Sequence, residues 1–385
     1  MKSILFISPQ PYFQWRGSPI RVRFVLQAFS ELGYQVDLLT LPFGEDTDIP
    51  NVNITRVANI YRAKNVPIGP SLMKALFDVL IIIKAIGMLR KKRYDVIHGI
   101  EEGGFIALIL GKLFGCKTVF EKHSDPSSHK KGLVRNLVLS LYAGMEKFTI
   151  RRVNLIIGTG QGLADQANHL NPKGEVRAIF DIPSSLVEAT AAQAQKQRDI
   201  ISQEPGESLA CFVGSFAVYQ GIDLLFKAIP LVVKKRPKVR FVIIGGNDEE
   251  ISARRQPLVK LGIDQNVSFL GKISPDDLPV HLKAMDILLA PRHSGVNTPL
   301  KVLDYFKAAK PIVATDVPSN RLILSDATAV FADVTPQAYC DKIVQLVDDP
   351  IFCKQMGDNG HTLYKEKYNF LSFKSLIEKA YSHLI

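Results

Sequence analysis

The residues with the most chemistry in them lie between Ser294 and Asp304, in the run SGVNTPLKVLD. A strand-like run, Ile287–Ala290, precedes it, and a helical pattern follows. Pro299 is pre-set for the first turn of a helix. The backbone N–H groups of Leu300 and Lys301 then fall where no intrahelical partner exists. Lys301 adds a positive charge. Asp304 follows three residues later on a nearby face, and a carboxylate can accept two hydrogen bonds from a vicinal diol. Amides and a lysine suit a diphosphate, and the carboxylate suits a ribose. The spacing describes a cradle for a nucleoside diphosphate, set against the plainer reading of Asp304 as a salt-bridged helix residue.

Two other connections have the form of an anion site. In SPQPYFQWRGSPIRVRFVL, Gly17 permits close approach of the backbone, Ser18 reads as an N-cap and Pro19 as the first helical residue. The helix N-terminus there is reinforced by Arg21 and Arg23, although an ordinary capped helix would look the same. In CFVGSFAVYQGIDLL, Gly214 and Ser215 follow a strand, and Gln220 and Gly221 precede a helix. Two histidines, His98 in YDVIHGIEEGG and His123 in VFEKHSD, close strand-like runs. Each is either structural or turned toward a ligand. GTGQG at Gly158–Gly162 is not a dinucleotide fingerprint. Its third glycine comes one residue early, and it follows the fifth strand. No His, Asp or Glu trio has zinc spacing, and there is no nucleophile elbow or Walker lysine loop.

The elements that must position these loops alternate. Strand-like runs fall at Ser3–Ile7, Val36–Leu39, Val96–His98, Thr118–Glu121 and Leu155–Ile157. They resume at Leu209–Val213, Arg240–Ile244, Val267–Leu270, Ile287–Ala290 and Pro311–Ala314. Helical stretches such as Ile20–Leu32 and Leu224–Lys234 separate them, which argues parallel sheets covered by helices. The Ala- and Gln-rich stretch Glu188–Ser208 interrupts the pattern and reads as a linker. The chain of 385 residues is thus an α/β protein of two doubly wound domains. The boundaries expected are 1–187, a linker at 188–208, and 209–365.

The net charge is +11, of which residues 1–190 carry +8. Such a surplus suits a phosphate-bearing substrate, an acidic membrane surface or nucleic acid, or it is a solvated surface with no role. No basic–aromatic platform or nucleic-acid motif is present, which argues against nucleic acid. The most apolar stretch, Leu72–Leu89, is interrupted by Lys74, Asp78 and Lys84, so it does not read as a membrane span. It reads as a half-buried helix ending in the basic run Arg90–Arg93, either core-packed or lying against a membrane surface. Cys116, Cys211, Cys340 and Cys353 lie far apart, without metal spacing. With no secretory signal, a reducing cytoplasmic compartment is expected, including the inner membrane face.

On these stretches the chain resembles the GT-B glycosyltransferases of the glycosyltransferase 4 group, over nearly its whole length. The stretches are RGSPIRVRFVLQAFSELGYQVDLLT, YDVIHGIEEGGFIALILGKLFG, VFEKHSD, VGSFAVYQGIDLLFKAI and the long run VSFLGKISPDDLPVHLKAMDILLAPRHSGVNTPLKVLDYFKAAKPIVATD. The resemblance implies two Rossmann-like domains facing a central cleft, with residues 366–385 packing back as a helix on the first domain. It implies retaining transfer from a UDP- or GDP-linked sugar, with no cofactor or metal. The acceptor is a glycan, a glycolipid or a lipid-linked molecule.

Carried over by position, donor contacts fall on Gly17, Gly214, Ser215, Gln220, Ser294, Gly295, Asn297, Thr298, Pro299, Leu300, Lys301 and Asp304. Asp304 takes the ribose. His123 and Lys301 are the catalytic pair, and Arg21, His98 and Glu101 lie on the acceptor side. Three departures stand out. Val296 replaces the first glutamate of the family's paired acids, Asp304 is one methylene shorter than the second, and Ser215 and Gln220 replace a basic pair. These leave open a non-catalytic module that binds nucleotide-sugar or glycan.

Overall fold

The computed structural model describes residues 2–15, 17–60, 62, 66, 72–124, 133–294 and 298–385; the side chains of Leu72 and residues 133–139 are not described. The chain forms two compact units. One is Met1–Asp181 together with Phe370–Ile385, and the other is Ile182–Asn369.

In the first unit the strands are β1 (Ser3–Ser8), β2 (Gln35–Thr40), β3 (Val52–Arg56), β4 (Val96–Ile100), β5 (Lys117–Lys122), β6 (Leu155–Gly158) and β7 (Val176–Ala178). Its helices are α1 (Gly17–Glu31), α2 (Leu72–Lys91), α3 (Glu102–Phe114), α4 (Leu133–Ile150) and α5 (Gln161–Leu170). All neighbouring strands are parallel, in the order β3-β2-β1-β4-β5-β6-β7. Consecutive strands step outward from β1 on one side and from β4 on the other. The order therefore reverses between β1 and β4, the place where doubly wound sheets open a crevice at their carboxyl ends. The loop into α1 and Glu101, the residue after β4, both leave the sheet at this point.

The core explains the strand readings. Ile4, Leu5, Phe6 and Ile7 are fully buried, as are Leu38, Leu39 and Ile97. Continuous apolar runs of this kind suit strands covered on both faces. β3 and β7 escape the sequence reading because they are short edge strands with only partly buried residues. Phe77, Ile81, Ala85 and Leu89 turn one side of α2 inward against Leu5, Leu39 and Ile97.

The second unit opens with α6 (Ala191–Ile201) and the strand β8 (Ser208–Val213). There follow α7 (Ile222–Lys235), β9 (Val239–Ile244), α8 (Asp248–Lys260), β10 (Val267–Gly271), α9 (Leu278–Ala284), β11 (Ile287–Ala290) and α10 (Lys301–Lys307). The unit closes with β12 (Ile312–Thr315), α11 (Pro318–Arg321), β13 (Val330–Ala332), α12 (Pro336–Asp348) and α13 (Pro350–Lys367). The sheet is again parallel, ordered β10-β9-β8-β11-β12-β13, with its reversal between β8 and β11. Both loops that carry the expected donor contacts, after β8 and after β11, leave from this reversal.

Two boundaries differ from the sequence reading. The chain passes between units at Asp181–Ile182, not after residue 187. The stretch expected as a linker contains α6, packed in the second unit against α9. Its helix is nucleated by a capping box between Thr190 and Gln193. Arg198 then fixes it to the Asp286 carboxylate at 2.9 Å and to the carbonyls of Ala284 and Glu207. Small alanines let this helix pack closely, and a scarcity of large apolar residues is no sign of a flexible segment here. The final helix, α14 (Phe370–Ser382), belongs to the first unit, where it lies along α1 and buries Phe373, Ile377 and Tyr381.

Candidate active site

In the second unit, β8 delivers Gly214 with φ of 151°. A Cβ there would lie 3.0 Å from Lys301 Nζ and 3.3 Å from Phe212 Cζ, a tight approach, and the backbone angle itself favours glycine. Lys301 reaches back from the start of α10 to this point, its ammonium 4.2 Å from the centre of the Phe212 ring. The ammonium is buried and has no hydrogen-bond partner among the described residues. Burial and the neighbouring Arg292 pull its pKa down to about 7.

Arg292 itself is buried, with its guanidinium 5.4 Å from the centre of the Tyr219 ring and its Nε donating to the Ser294 carbonyl at 2.8 Å. Gly221, with φ of 76°, presses the Tyr219–Gly221 turn onto Pro291, where any Cβ would overlap the carbonyl. The loop that lost its basic pair to Ser215 and Gln220 is thus lined by two cations from the β11–α10 segment. Sequence reading missed Arg292. The only signal was its place directly after the strand-ending Pro291. Ser215 is exposed, and Gln220 Oε1 is buried without a partner among the described residues.

Asp304 is less free than expected. Its Oδ1 accepts the Ser184 N–H at 2.7 Å and the Ser184 hydroxyl at 2.9 Å. Burial raises its pKa to about 6, against these two hydrogen bonds, which lower it. It lines a cavity with Glu188, Pro279, Leu282, Lys283 and Lys307. Thr298, Pro299 and Leu300 form the approach to α10, whose first helical donor is Val302 N–H, bonded to the Pro299 carbonyl at 3.0 Å. Ser294 is exposed. Gly295 and Asn297, with Val296, lie outside the described residues.

In the first unit the strand ends converge on one carboxylate. Glu121, on β5, is fully buried. Its Oε1 takes Arg21 Nε at 2.5 Å and His123 Nε2 at 2.9 Å, and its Oε2 takes His98 Nε2 at 2.8 Å. Burial pushes its pKa up, but Arg21 and the two histidines outweigh this and hold the carboxyl well below its ordinary range. Arg21 also reaches Asp181 at 3.0 Å. His98 Nδ1 meets the Tyr381 hydroxyl on α14 at 2.6 Å, and its ring stacks on Phe6 at 4.3 Å. Burial lowers the His98 pKa despite Glu121.

Arg21 and His98, expected on the acceptor side, are therefore interior residues that hold Glu121. The physical reason is the buried carboxylate, which requires charge and hydrogen bonds from every side. Sequence reading missed Glu121 itself. The available signal was period two, because alternation on a strand puts Glu121 and His123 on one face.

His123 has Glu121 on one ring nitrogen and the Ser18 hydroxyl on Nδ1 at 2.5 Å. Its backbone N–H donates to Glu101 Oε1 at 3.0 Å. Glu101 leads into α3 with φ of 50°, a left-handed conformation that is strained for a non-glycine residue. Burial raises its pKa beyond the lowering effect of His123. The helix α1 begins at Gly17, so Ser18 lies inside the first turn and its hydroxyl serves His123 rather than acting as the expected N-cap.

Two parallel, doubly wound sheets are the architecture of the GT-B glycosyltransferases. Residues 15–180 match the family described as Glycosyltransferase Family 4, and residues 207–349 match Glycosyl transferases group 1. The chain belongs to the glycosyltransferase 4 family, and it is an enzyme that transfers a sugar from a nucleotide-sugar.

Among relatives, it is 24% identical over 364 residues to a D-inositol 3-phosphate glycosyltransferase of Pseudarthrobacter chlorophenolicus, covering 89% of this chain and 84% of that one. It is 23% identical over 393 residues to the phosphatidylinositol N-acetylglucosaminyltransferase gpi3 subunit of Schizosaccharomyces pombe, covering 98% and 79%. Among solved structures, sucrose-phosphate synthase from Thermosynechococcus elongatus superposes with a TM-score of 0.80 at 18% identity, covering 100% and 99%. HepE of Anabaena in complex with UDP-glucose gives 0.74 at 14% identity, with all of both chains covered.

Proposed function

We propose that the protein moves a sugar from a UDP- or GDP-linked donor, with retention and without a metal, to a glycan or lipid-linked acceptor. The observation that carries this is the Lys301 ammonium, buried, without a hydrogen-bond partner among the described residues and set against the glycine loop beside Arg292. Two neighbouring buried cations repel each other and are tolerated where an anion comes to join them. A diphosphate fills that need, and the cations then stabilise the charge that grows on the leaving group. The Gly214–Gln220 loop and Thr298–Lys301 surround the phosphates in this reading. Asp304, oriented by Ser184, takes the ribose. In the first unit, Glu101 and His123 are the residues assigned to the acceptor. The relatives named above support a lipid or polyol acceptor by their names. EDTA is expected to leave turnover unchanged, because Lys301 and Arg292 supply the charge.

The test is a titration with UDP-, GDP-, ADP- and TDP-sugars that follows heat of binding and released nucleotide. Binding with slow hydrolysis of one donor is expected. No binding to any of them would overturn the donor site.

A membrane surface is the second part of the proposal. On α2, Leu76, Val79 and Ile83 are 38%, 51% and 62% exposed at helical spacing, and Lys84, Arg90, Lys91 and Arg93 are exposed beyond them. An apolar stripe ending in cations suits the interface of an anionic bilayer. The protein is expected to float with vesicles containing phosphatidylglycerol at low salt and to be released at high salt. Replacing Leu76, Val79 and Ile83 with serine should abolish flotation. Flotation of that variant equal to wild type would remove α2 from the membrane face.

A further inference from the structure

The donor reading leaves unused the order of groups around Glu121. An ionised carboxylate only accepts hydrogen bonds. Both histidines must therefore donate their Nε2–H to Glu121. In neutral His123 the remaining lone pair is then on Nδ1, and the Ser18 hydroxyl, 2.5 Å away, must donate to it. The result is a hydroxyl–imidazole–carboxylate relay. Arg21 and His98 clamp the carboxylate, and Tyr381 closes the far end. Glu121 and Tyr381 have no exposure, and the His123 side chain is 8% exposed. Ser18, partly buried in the first turn of α1, is the end of the relay away from Glu121. It stands at the carboxyl edge of β1, at the reversal of strand order where ligands bind.

We propose that Ser18 is the catalytic residue that contacts the acceptor hydroxyl and passes its proton to His123. The inference rests on the glycosyltransferase reading. In the step, the acceptor O–H proton moves to Ser18 Oγ while the serine proton moves to His123 Nδ1. The acceptor oxygen bonds to the anomeric carbon as that carbon's bond to the phosphate oxygen breaks, and the electron pair leaves with the nucleoside diphosphate. His123 becomes an imidazolium held against Glu121, and it later releases the proton to solvent.

The relay is tested with UDP-glucose and GDP-mannose, water serving as acceptor. Nucleotide release is followed across pH, and binding of UDP and GDP is measured in parallel. Ser18→Ala is expected to slow release about 100-fold or more, with nucleotide affinity unchanged. His123→Gln should lose as much, and the double variant no more than either single one, as for groups that act as a unit. Ser18→Thr, which keeps the hydroxyl, should restore most of the rate and the acid limb of the pH profile that Ser18→Ala lacks. Release by Ser18→Ala at the wild-type rate, or losses that multiply in the double variant, would overturn the relay. So would wild-type protein that binds UDP or GDP but releases neither nucleotide from its sugar. Failure of wild type to bind either nucleotide would strike the donor reading instead.

Discussion

Replacing Lys301 with methionine is expected to remove most donor turnover while making the unliganded protein more stable. Methionine keeps an unbranched stem in the Phe212 and Gly214 surroundings but brings no charge. A preorganised donor aimed at developing charge is worth about 2.7–4 kcal/mol, so kcat should fall by about 100- to 1000-fold. The stability change runs the other way. Lys301 is a buried ammonium with no hydrogen-bond partner among the described residues, and an unsatisfied buried group costs about 1–3 kcal/mol.

The pH dependence has a definite sign. The folded pKa is about 7, below the ordinary value of 10.5. Below pH 7 the group is charged in both states, and the folded state bears the full penalty. Between pH 7 and 10.5 the unfolded chain binds more protons, so wild-type stability rises with pH. The advantage of Lys301→Met should therefore be largest below pH 7 and disappear above about pH 10.5. Thermal melts across this range check it, as does calorimetry of UDP or GDP binding in buffers of different ionisation heat. Near pH 8, binding should draw a proton onto Lys301 in wild type and not in the variant. Equal turnover in variant and wild type would remove Lys301 from the diphosphate site.

Glu121→Leu should have the largest effect on folding. It leaves the Arg21 guanidinium buried beside Asp181 alone and strips His98 and His123 of their shared acceptor. Breaking a buried pair by removing one partner costs about 3–5 kcal/mol. For a unit of this size the melting temperature should fall by on the order of 10 °C. The folded pKa of Glu121 lies well below the ordinary 4.5. Its stabilisation is therefore complete above about pH 4.5 and is lost as pH falls toward the folded value. The variant should lack that part of the acid sensitivity of wild type. Melts at pH 7 and pH 4 test both points, and a variant as stable as wild type at pH 7 would show that the network contributes no net stability.

Much of the fold was legible because parallel strands buried on both faces write themselves as unbroken apolar runs. Ile4–Ile7, Leu209–Phe212 and Ile287–Ala290 need no partner to be recognised. β3, β7 and β13 were not, because a short edge strand has fewer buried residues to mark it. α6 was passed over because its alanines and glutamines carry no apolar stripe, and its cap and Arg198 contacts decide it.

The sequence by itself determined the class of protein, the two glycine loops after β1 and β8, and the cation and carboxylate placed around α10. These are local matters of residue type and spacing. Tertiary structure alone decided which charges meet. Arg21 and Glu121 are 100 residues apart and Ser18 and His123 are 105 apart, yet each pair is joined at 2.5 Å. Arg292 lies against the Tyr219 ring of the loop that holds Ser215 and Gln220, and Ser184 occupies half of the Asp304 carboxylate. A buried charge takes its partner from whatever the sheet order brings beside it. Strand order, unlike strand identity, is not written in the periodicity of any single segment.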